Sequence, residues 1–422
     1  MDQKHTAINA IREKLLGKTL TYKQIYAIMD EISQKKFGNV LTTYFAASGY
    51  SKGFSEDELY YLTKAMVETG DKLKFEGIVA DKHSIGGIPG TRTTPIVVAI
   101  VAAAGFQIPK SSSRAITSAS GTADDMEVLA PVKLTKTQIY ETVKKTNGCI
   151  VWGGSFNLAP ADDIIIQVEK PLLFESYDKI VVSIMAKKIA FGSNHIVIDL
   201  PYGKNTKVHT LKDAKILSKK FLDLAKRFDM KIRVIIYKTD EPAGRGIGPT
   251  LEIKDSLMVL EQTKDRPIDL EIRSLNLATN LLEICIEDSP KEQEIIKNYG
   301  NAYNLALSLL QKGIALEKFK QIIKAQGGNP SINSDKLKSG KYDFRQIAKK
   351  SGIVNSLHIK NIISVAKILG APQMKSSGVY LNKKIGETVL TGDVLYTLFS
   401  ENVYNLKEGK ESVVNFPILN FE

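Results

Sequence analysis

The 422-residue chain has only two cysteines, Cys149 and Cys285, a single tryptophan, and no charge-free run approaching about 20 apolar residues. The two cysteines lie in hydrophobic segments and form no metal-ligand pattern, so they read as buried free thiols. Without a long apolar run there is no transmembrane helix to expect. The charged start MDQKHTAINAIREKLLGK has no signal-peptide core either, so a cytoplasmic enzyme-like chain is expected. Also missing are the Walker pattern and the GxGxxG fingerprint, which argues against ATPase and Rossmann readings. Acidic residues are the scarcer charge, 46 against 58 Lys and Arg, giving a net charge of +12. That sign attracts nucleic-acid phosphates at low salt. The lysines are nevertheless scattered among Glu and Asp, and no basic stripe interleaves with aromatics. No nucleic-acid partner is expected; the excess reads as solvated surface with a modest pull on small anions.

The length suggests two or three domains. Residues 1–75 read as helices: Ile25, Ile28, Met29 and Ile32 keep helical spacing behind the cap Thr21, and Ser55 with Glu58 forms a capping box. Residues 155–192 are expected to rejoin this lobe. From 76 to 330 the texture is α/β: HIVIDLPYG (195–203) and KIRVIIYKT (231–239) flank a helix capped by Thr210, the signature of a mostly parallel sheet. The turn-rich stretch after about 330 marks a boundary, and 331–422 is expected to form a small α+β domain.

The chemistry concentrates between Asp81 and Leu129. Two glycine- and hydroxyl-rich loops, DKHSIGG and SSSRAITSASGT, flank an apolar run. The run predicts a buried helix near 95–105 with one loop at each end. Gly86, Gly87 and Gly90 allow positive φ and close approach of backbone N–H groups to an anion. Lys82 and Arg114 add charge; Ser84, Thr93, Thr94, Ser112, Ser113, Thr117, Ser118 and Thr122 add neutral donors. The loops therefore read as a phosphate-binding site, built where helices also present unsatisfied N–H groups.

On these loops, and on LAPADDIII (158–166), the SxxAKK run at Ser183–Lys188, GRGIGPTLE (244–252) and the GVYLNKKIG…GDVLYT tail, the chain resembles the class II nucleoside phosphorylases, and within them the AMP phosphorylase branch. The resemblance covers about residues 20–405. It implies a helical lobe facing a larger α/β lobe, and reversible phosphorolysis of nucleoside 5′-monophosphates, AMP in particular. Small molecules would be the only ligands, inorganic phosphate the co-substrate, and no metal or organic cofactor is implied. Homodimers are usual in the family. That branch commonly carries an extra N-terminal domain, whereas this chain starts almost directly at the lobe, which puts larger assemblies in question.

The resemblance also suggests roles. Lys82, Ser84, Thr94 and Thr122 match phosphate contacts. Gly87, the run Ser113, Arg114, Ala115, Ile116, Thr117 and Ser118, and Thr122, Ser183 and Lys207 match nucleotide contacts, so Thr122 is matched in both sets; Ser183 and Lys187 match residues that hold the base. His83 matches a proton-handling histidine. The expected proton donor to the leaving base falls at Glu175, where the branch has aspartate, with Asp178 as the alternative. Three other readings stand beside this one: a pyrimidine-nucleoside phosphorylase, an anthranilate-type phosphoribosyltransferase with a magnesium role for Asp124 and Asp125, and a non-catalytic RNA-binding protein.

Overall fold

The computed structural model describes residues 3–115, 118–169 and 176–422. Helices α1 (Gln3–Leu15), α2 (Tyr22–Ser33), α3 (Gly38–Lys52) and α4 (Glu56–Glu68) open the chain. The expected caps are present: Thr21 and Gln24, and Ser55 and Glu58, exchange reciprocal capping hydrogen bonds. Glu58 also ties α4 to α1, since its buried carboxylate takes Lys14 Nζ at 2.7 Å.

Next follow β1 (Ala80–Ser84), α5 (Thr94–Ala103), β2 (Ile108–Ser112), α6 (Thr122–Met126), α7 (Lys136–Thr146) and β3 (Gly148–Trp152). Helices α8 (Pro160–Glu169) and α9 (Tyr177–Ala190) lead to β4 (His195–Tyr202), α10 (Leu211–Arg227) and β5 (Lys231–Lys238). Strands β1, β4 and β5 are parallel in the order β1-β4-β5, and β2 is parallel to β3. A parallel bridge between Val79 and Gln107 joins the two groups, giving the spatial order β3-β2-β1-β4-β5. Ala159, Ala161, Ile165, Val182 and Ala186 share one core with Ile25, Ile28, Met29 and Leu62. Val181, Ile184 and Met185 of α9 instead pack with Ile196 and Ile198 of β4. Helix α9 is therefore a wall common to both lobes.

The buried helix is present as α5, every residue from Thr94 to Ala102 being buried. Each Val or Ile sealed in this way contributes about 1.5–3 kcal/mol. Two expectations need correction. The loops do not sit at opposite ends of α5, because β2 runs back parallel to β1 and returns the second loop to the edge where the first one lies. Asp81–Ser84 and Ser111–Ser112 are also strand rather than loop. Their polar side chains hide strands whose partners are buried polar groups.

Helices α11 (Pro249–Leu260), α12 (Ile268–Glu287), α13 (Glu292–Tyr299), α14 (Ala302–Gln311) and α15 (Ile314–Ala325) complete the α/β lobe, preceded by β6 (Gly246–Ile247). Leu257, Leu277, Leu281, Leu310 and Phe319 join the α5 core, as does Cys285; both cysteines are buried and free. The last segment contains β7 (Tyr342–Ile347), β8 (Gly352–Leu357), α16 (Ile359–Ile368), β9 (Gly378–Leu381), β10 (Thr388–Val389), β11 (Val394–Ser400), α17 (Val403–Ser412) and β12 (Leu419–Phe421). It is the expected α+β unit, and β6 pairs with β9 to extend its antiparallel sheet into the α/β lobe. Among the described residues no helix is long and apolar enough to cross a membrane.

Candidate functional site

Alternation along β1 sends DKHS to two faces. On one face, Lys82 Nζ is surrounded by the hydroxyls of Ser84 and Thr93 (2.7 Å to the latter), with Thr94 at 3.5 Å and Asp199 at 3.8 Å. Ser84 pairs in register with Asp199 of β4 and donates to its carboxylate at 2.6 Å. Burial pushes Lys82 down to about 8, against the pull of Asp199. This cluster lies at the start of α5, whose first-turn N–H groups have no helical partners.

The other face carries Asp81 and His83. Asp81 is sealed and holds two buried lysines, Lys188 of α9 at 2.8 Å and Lys110 of β2 at 3.6 Å. Burial favours its neutral form, but Lys110 and Lys188 outweigh it and hold the carboxyl below its usual range. Burial pushes Lys110 down to about 7 despite Asp81. His83 is driven well below the ordinary histidine range, first by burial and then by Lys188, Lys110 and Lys82. It is therefore a neutral imidazole at physiological pH.

In the second loop, Arg114 forks onto Glu127, both contacts 2.6 Å, reaches Asp124 at 2.9 Å, and lies over the Trp152 ring. Hydrogen bonding to Arg114 takes Glu127 down to about 2. Lys375, from the C-terminal unit, shares both carboxylates at 3.0 and 3.3 Å. Asp124 also accepts the N–H groups of Ala115 (2.7 Å) and Gly121 (3.1 Å), which folds the loop back on itself. Glycine is required at 121: a Cβ there would lie 2.5 Å from the Arg114 carbonyl carbon and 2.6 Å from the Ser113 oxygen. Ser118 donates to the Ser120 carbonyl at 2.7 Å. Ile116 and Thr117 lie outside the described residues.

Arg92, which the sequence reading did not single out, joins the loops. Its guanidinium donates to Thr122 Oγ1 at 2.8 Å and the Ser120 carbonyl at 3.2 Å, and pairs with Glu252 at 2.8 Å and with Asp125. Burial raises Asp125 well above the usual carboxylate range despite Arg92, and raises Glu252 in the same direction. Asp124 and Asp125 are thus engaged by cations rather than disposed as a metal pair, and among the described residues no group of three or more His, Cys, Asp or Glu is arranged to hold a metal.

Gly87 adopts φ +110°, and a Cβ on it would meet Lys207 N at 2.8 Å, so the first loop rests on the turn that carries Lys207. Ser183 and Lys187, one turn apart on α9, face α8: Ser183 donates to Asp162 at 2.8 Å, and Lys187 bonds Asp162 at 2.8 Å and Asp163 at 3.0 Å. Glu175 lies outside the described residues. Asp178 is engaged elsewhere, accepting the Phe54 N–H at 3.1 Å and pairing with Lys220 at 2.8 Å.

A helical lobe joined by α9 to a parallel sheet, with two donor-rich loops at one sheet edge, is the plan of a pentosyl-transferring enzyme. Residues 8–70 match the glycosyl transferase family, helical bundle domain, and residues 76–227 match the glycosyl transferase family, a/b domain. Within that class the chain belongs to the AMP phosphorylase family. It is 42% identical over 406 residues to the AMP phosphorylase of Methanospirillum hungatei, covering 96% of this chain and 77% of that one. To that of Methanocaldococcus jannaschii it is 42% identical over 417 residues, 99% of this chain and 81% of the other. The AMP phosphorylase of Thermofilum pendens is 41% identical over 402 residues, or 95% and 76% of the two chains. In fold it is similar to the crystal structure of anthranilate phosphoribosyltransferase from Thermus thermophilus, with a TM-score of 0.61, 15% identity, and coverage of 75% of this chain and 99% of the other.

Proposed function

We propose that the chain catalyses reversible phosphorolysis of AMP, with an oxygen of inorganic phosphate bonding to C1′ as the C1′–N9 bond breaks. The products are ribose 1,5-bisphosphate and adenine. The observation that carries this reading is that β2 returns the 113–122 loop to the Lys82–Ser84 cluster, where Arg92 links them at Thr122. The combined site has more donors than one anion needs. We assign Lys82, Ser84, Thr94 and Thr122 to inorganic phosphate. Gly87, Lys207 and the loop Ser113–Ser118 would hold the 5′-phosphate and ribose, and Ser183 and Lys187 the base.

The transition state resembles an oxocarbenium ion, so phosphate held close supplies both the nucleophile and stabilising negative charge. The departing base needs a proton, and Glu175 is our assignment for its donor. His83, neutral and half-buried, serves in hydrogen bonding near the reacting groups rather than as a cationic acid. Asp178 is better explained by its tie between α9, the Phe54 turn and α10. The protein would work in the cytoplasm as a homodimer, with phosphate as its only co-substrate.

The test is phosphate-dependent base release from AMP, CMP, UMP, adenosine, uridine and thymidine, followed by chromatography. Release from AMP but not from nucleosides supports the assignment. Release from uridine or thymidine alone would move the chain to pyrimidine-nucleoside chemistry.

A further inference from the structure

Arg92 has no part in the reaction as assigned above, yet it occupies a specific position. Its backbone belongs to the first loop, directly before Thr93, whose hydroxyl holds Lys82 at 2.7 Å. Its carbonyl accepts from Ser256 of α11 at 2.8 Å. Its side chain crosses to the second loop and reaches Thr122 and Ser120, while buried Asp125 and Glu252 fix the guanidinium from behind.

The contact with Thr122 sets a direction. Arginine has only donors, whereas a hydroxyl has one proton and two lone pairs. Thr122 Oγ1 must therefore accept from Arg92, which leaves its own proton to be given elsewhere. None of the described residues receives that proton, and Thr122 is only half-buried, so an anion arriving from solvent can take it. Asp125 and Glu252 balance the charge of Arg92 but reach only Nε and Nη2, whereas Nη1 is aimed at the site hydroxyl, which is the contact a positioning role requires.

We infer that Arg92 is a positioning residue for the phosphate nucleophile: it locks Thr122 as a donor to the anion and fixes the distance from Thr122 to the Lys82–Ser84 cluster. The inference rests on the assignment of Thr122 to phosphate. Isothermal titration with inorganic phosphate tests it on the wild type, R92K, R92M, T122V and the R92M/T122V double variant, with thermal unfolding and AMP phosphorolysis run alongside. R92M should weaken phosphate binding about tenfold, as loss of an oriented hydrogen bond predicts. T122V should cost a similar factor, and the double variant should bind no worse than the weaker single one, because Arg92 acts through Thr122. R92K should recover part of the loss, and KM for phosphate should rise more than kcat falls.

Binding by R92M within about twofold of wild type overturns the inference, and so do losses that multiply in the double variant. If R92M fails to fold, the cycle built from R92K and T122V decides the same question. A wild type that binds phosphate but releases no adenine from AMP removes the proposed reaction and leaves the Arg92 role to the titration. A wild type that binds no phosphate overturns both.

Discussion

With inorganic phosphate assigned to Lys82, the chain's phosphate affinity should depend on pH in a direction opposite to its stability. The side chain is 2% exposed and its pKa falls from 10.5 to about 8, chiefly through burial, with Asp199 opposing and Arg92 and Arg273 assisting. One pKa unit corresponds to about 1.4 kcal/mol, so the shift represents roughly 3 kcal/mol. Between pH 8 and 10.5 the unfolded chain holds a proton at Lys82 that the folded chain has released. Wherever the unfolded state binds more protons, stability rises with pH. The ligand-free protein should accordingly gain up to about 3 kcal/mol from this residue across that window. Phosphate needs the cation, so its affinity should move the other way. Titration calorimetry from pH 7.5 to 9.5 keeps phosphate mainly a dianion and starts above the midpoint of Lys110 at about 7. The Kd should be flat up to about 8 and then rise about tenfold per pH unit, since the break reports the pKa of the empty site. Arginine stays charged throughout, so Lys82→Arg should remove the break even where its geometry weakens binding. A wild-type Kd that stays flat to pH 9.5, or a break that persists in Lys82→Arg, refutes the reasoning.

Three further outcomes follow from the site. Gly121→Ala places a methyl 2.5 Å from backbone; it should cost about 1–3 kcal/mol of stability by thermal unfolding and weaken AMP binding more than phosphate binding, because the loop that opens is the one assigned to the nucleotide. Asp81→Asn removes the shared partner of Lys110 and Lys188; leaving buried charge uncompensated should destabilise the fold by about 3–5 kcal/mol in denaturant titration. Glu175→Gln and Asp178→Asn should separate the two carboxylates: the first should lower kcat for AMP by about two orders of magnitude with little change in melting temperature, whereas the second should lower the melting temperature and spare kcat.

Much of this architecture was legible because its signals are local. Capping boxes at Thr21 and Ser55 announce α2 and α4, and the β-branched runs at 195–202 and 231–238 announce β4 and β5. The strands of the site were not legible. ADKHS and IPKSS carry lysines and serines where a buried parallel strand ordinarily carries Val and Ile, and their partners, Asp199, Lys188 and Asp81, are brought beside them only by the sheet and by α9. Arg92 was overlooked for the same reason: in TRTTP it reads as a surface cation, and Asp125 and Glu252 become its neighbours only once α6 and α11 pack beside α5. Asp178 shows the converse, a carboxylate that sequence offered as an acid but that the fold uses to brace Phe54 and Lys220.

The carboxylates built into the site bear on how readily binding there can be reversed. Lys82 faces Asp199, Arg92 faces Asp125 and Glu252, and Arg114 faces Asp124 and Glu127. A cluster of unpaired buried cations would bind phosphate tightly but would destabilise the free fold, since isolated buried charge is costly. With carboxylates already present, an incoming anion competes for donors that are partly satisfied, and its net gain is the difference between two charge-assisted arrangements. That difference is smaller than either interaction alone. An enzyme that must release a bisphosphate product as well as bind its substrate benefits from this balance, because binding substrate and product too tightly slows turnover without lowering the chemical barrier. Lys82 Nζ is held by the hydroxyls of Ser84, Thr93 and Thr94, but its carboxylate partner Asp199 stands at 3.8 Å, so of the three cations its charge is the least neutralised by a carboxylate. Phosphate is therefore expected to meet the least competition from the protein's own carboxylates at Lys82, and to bind there first.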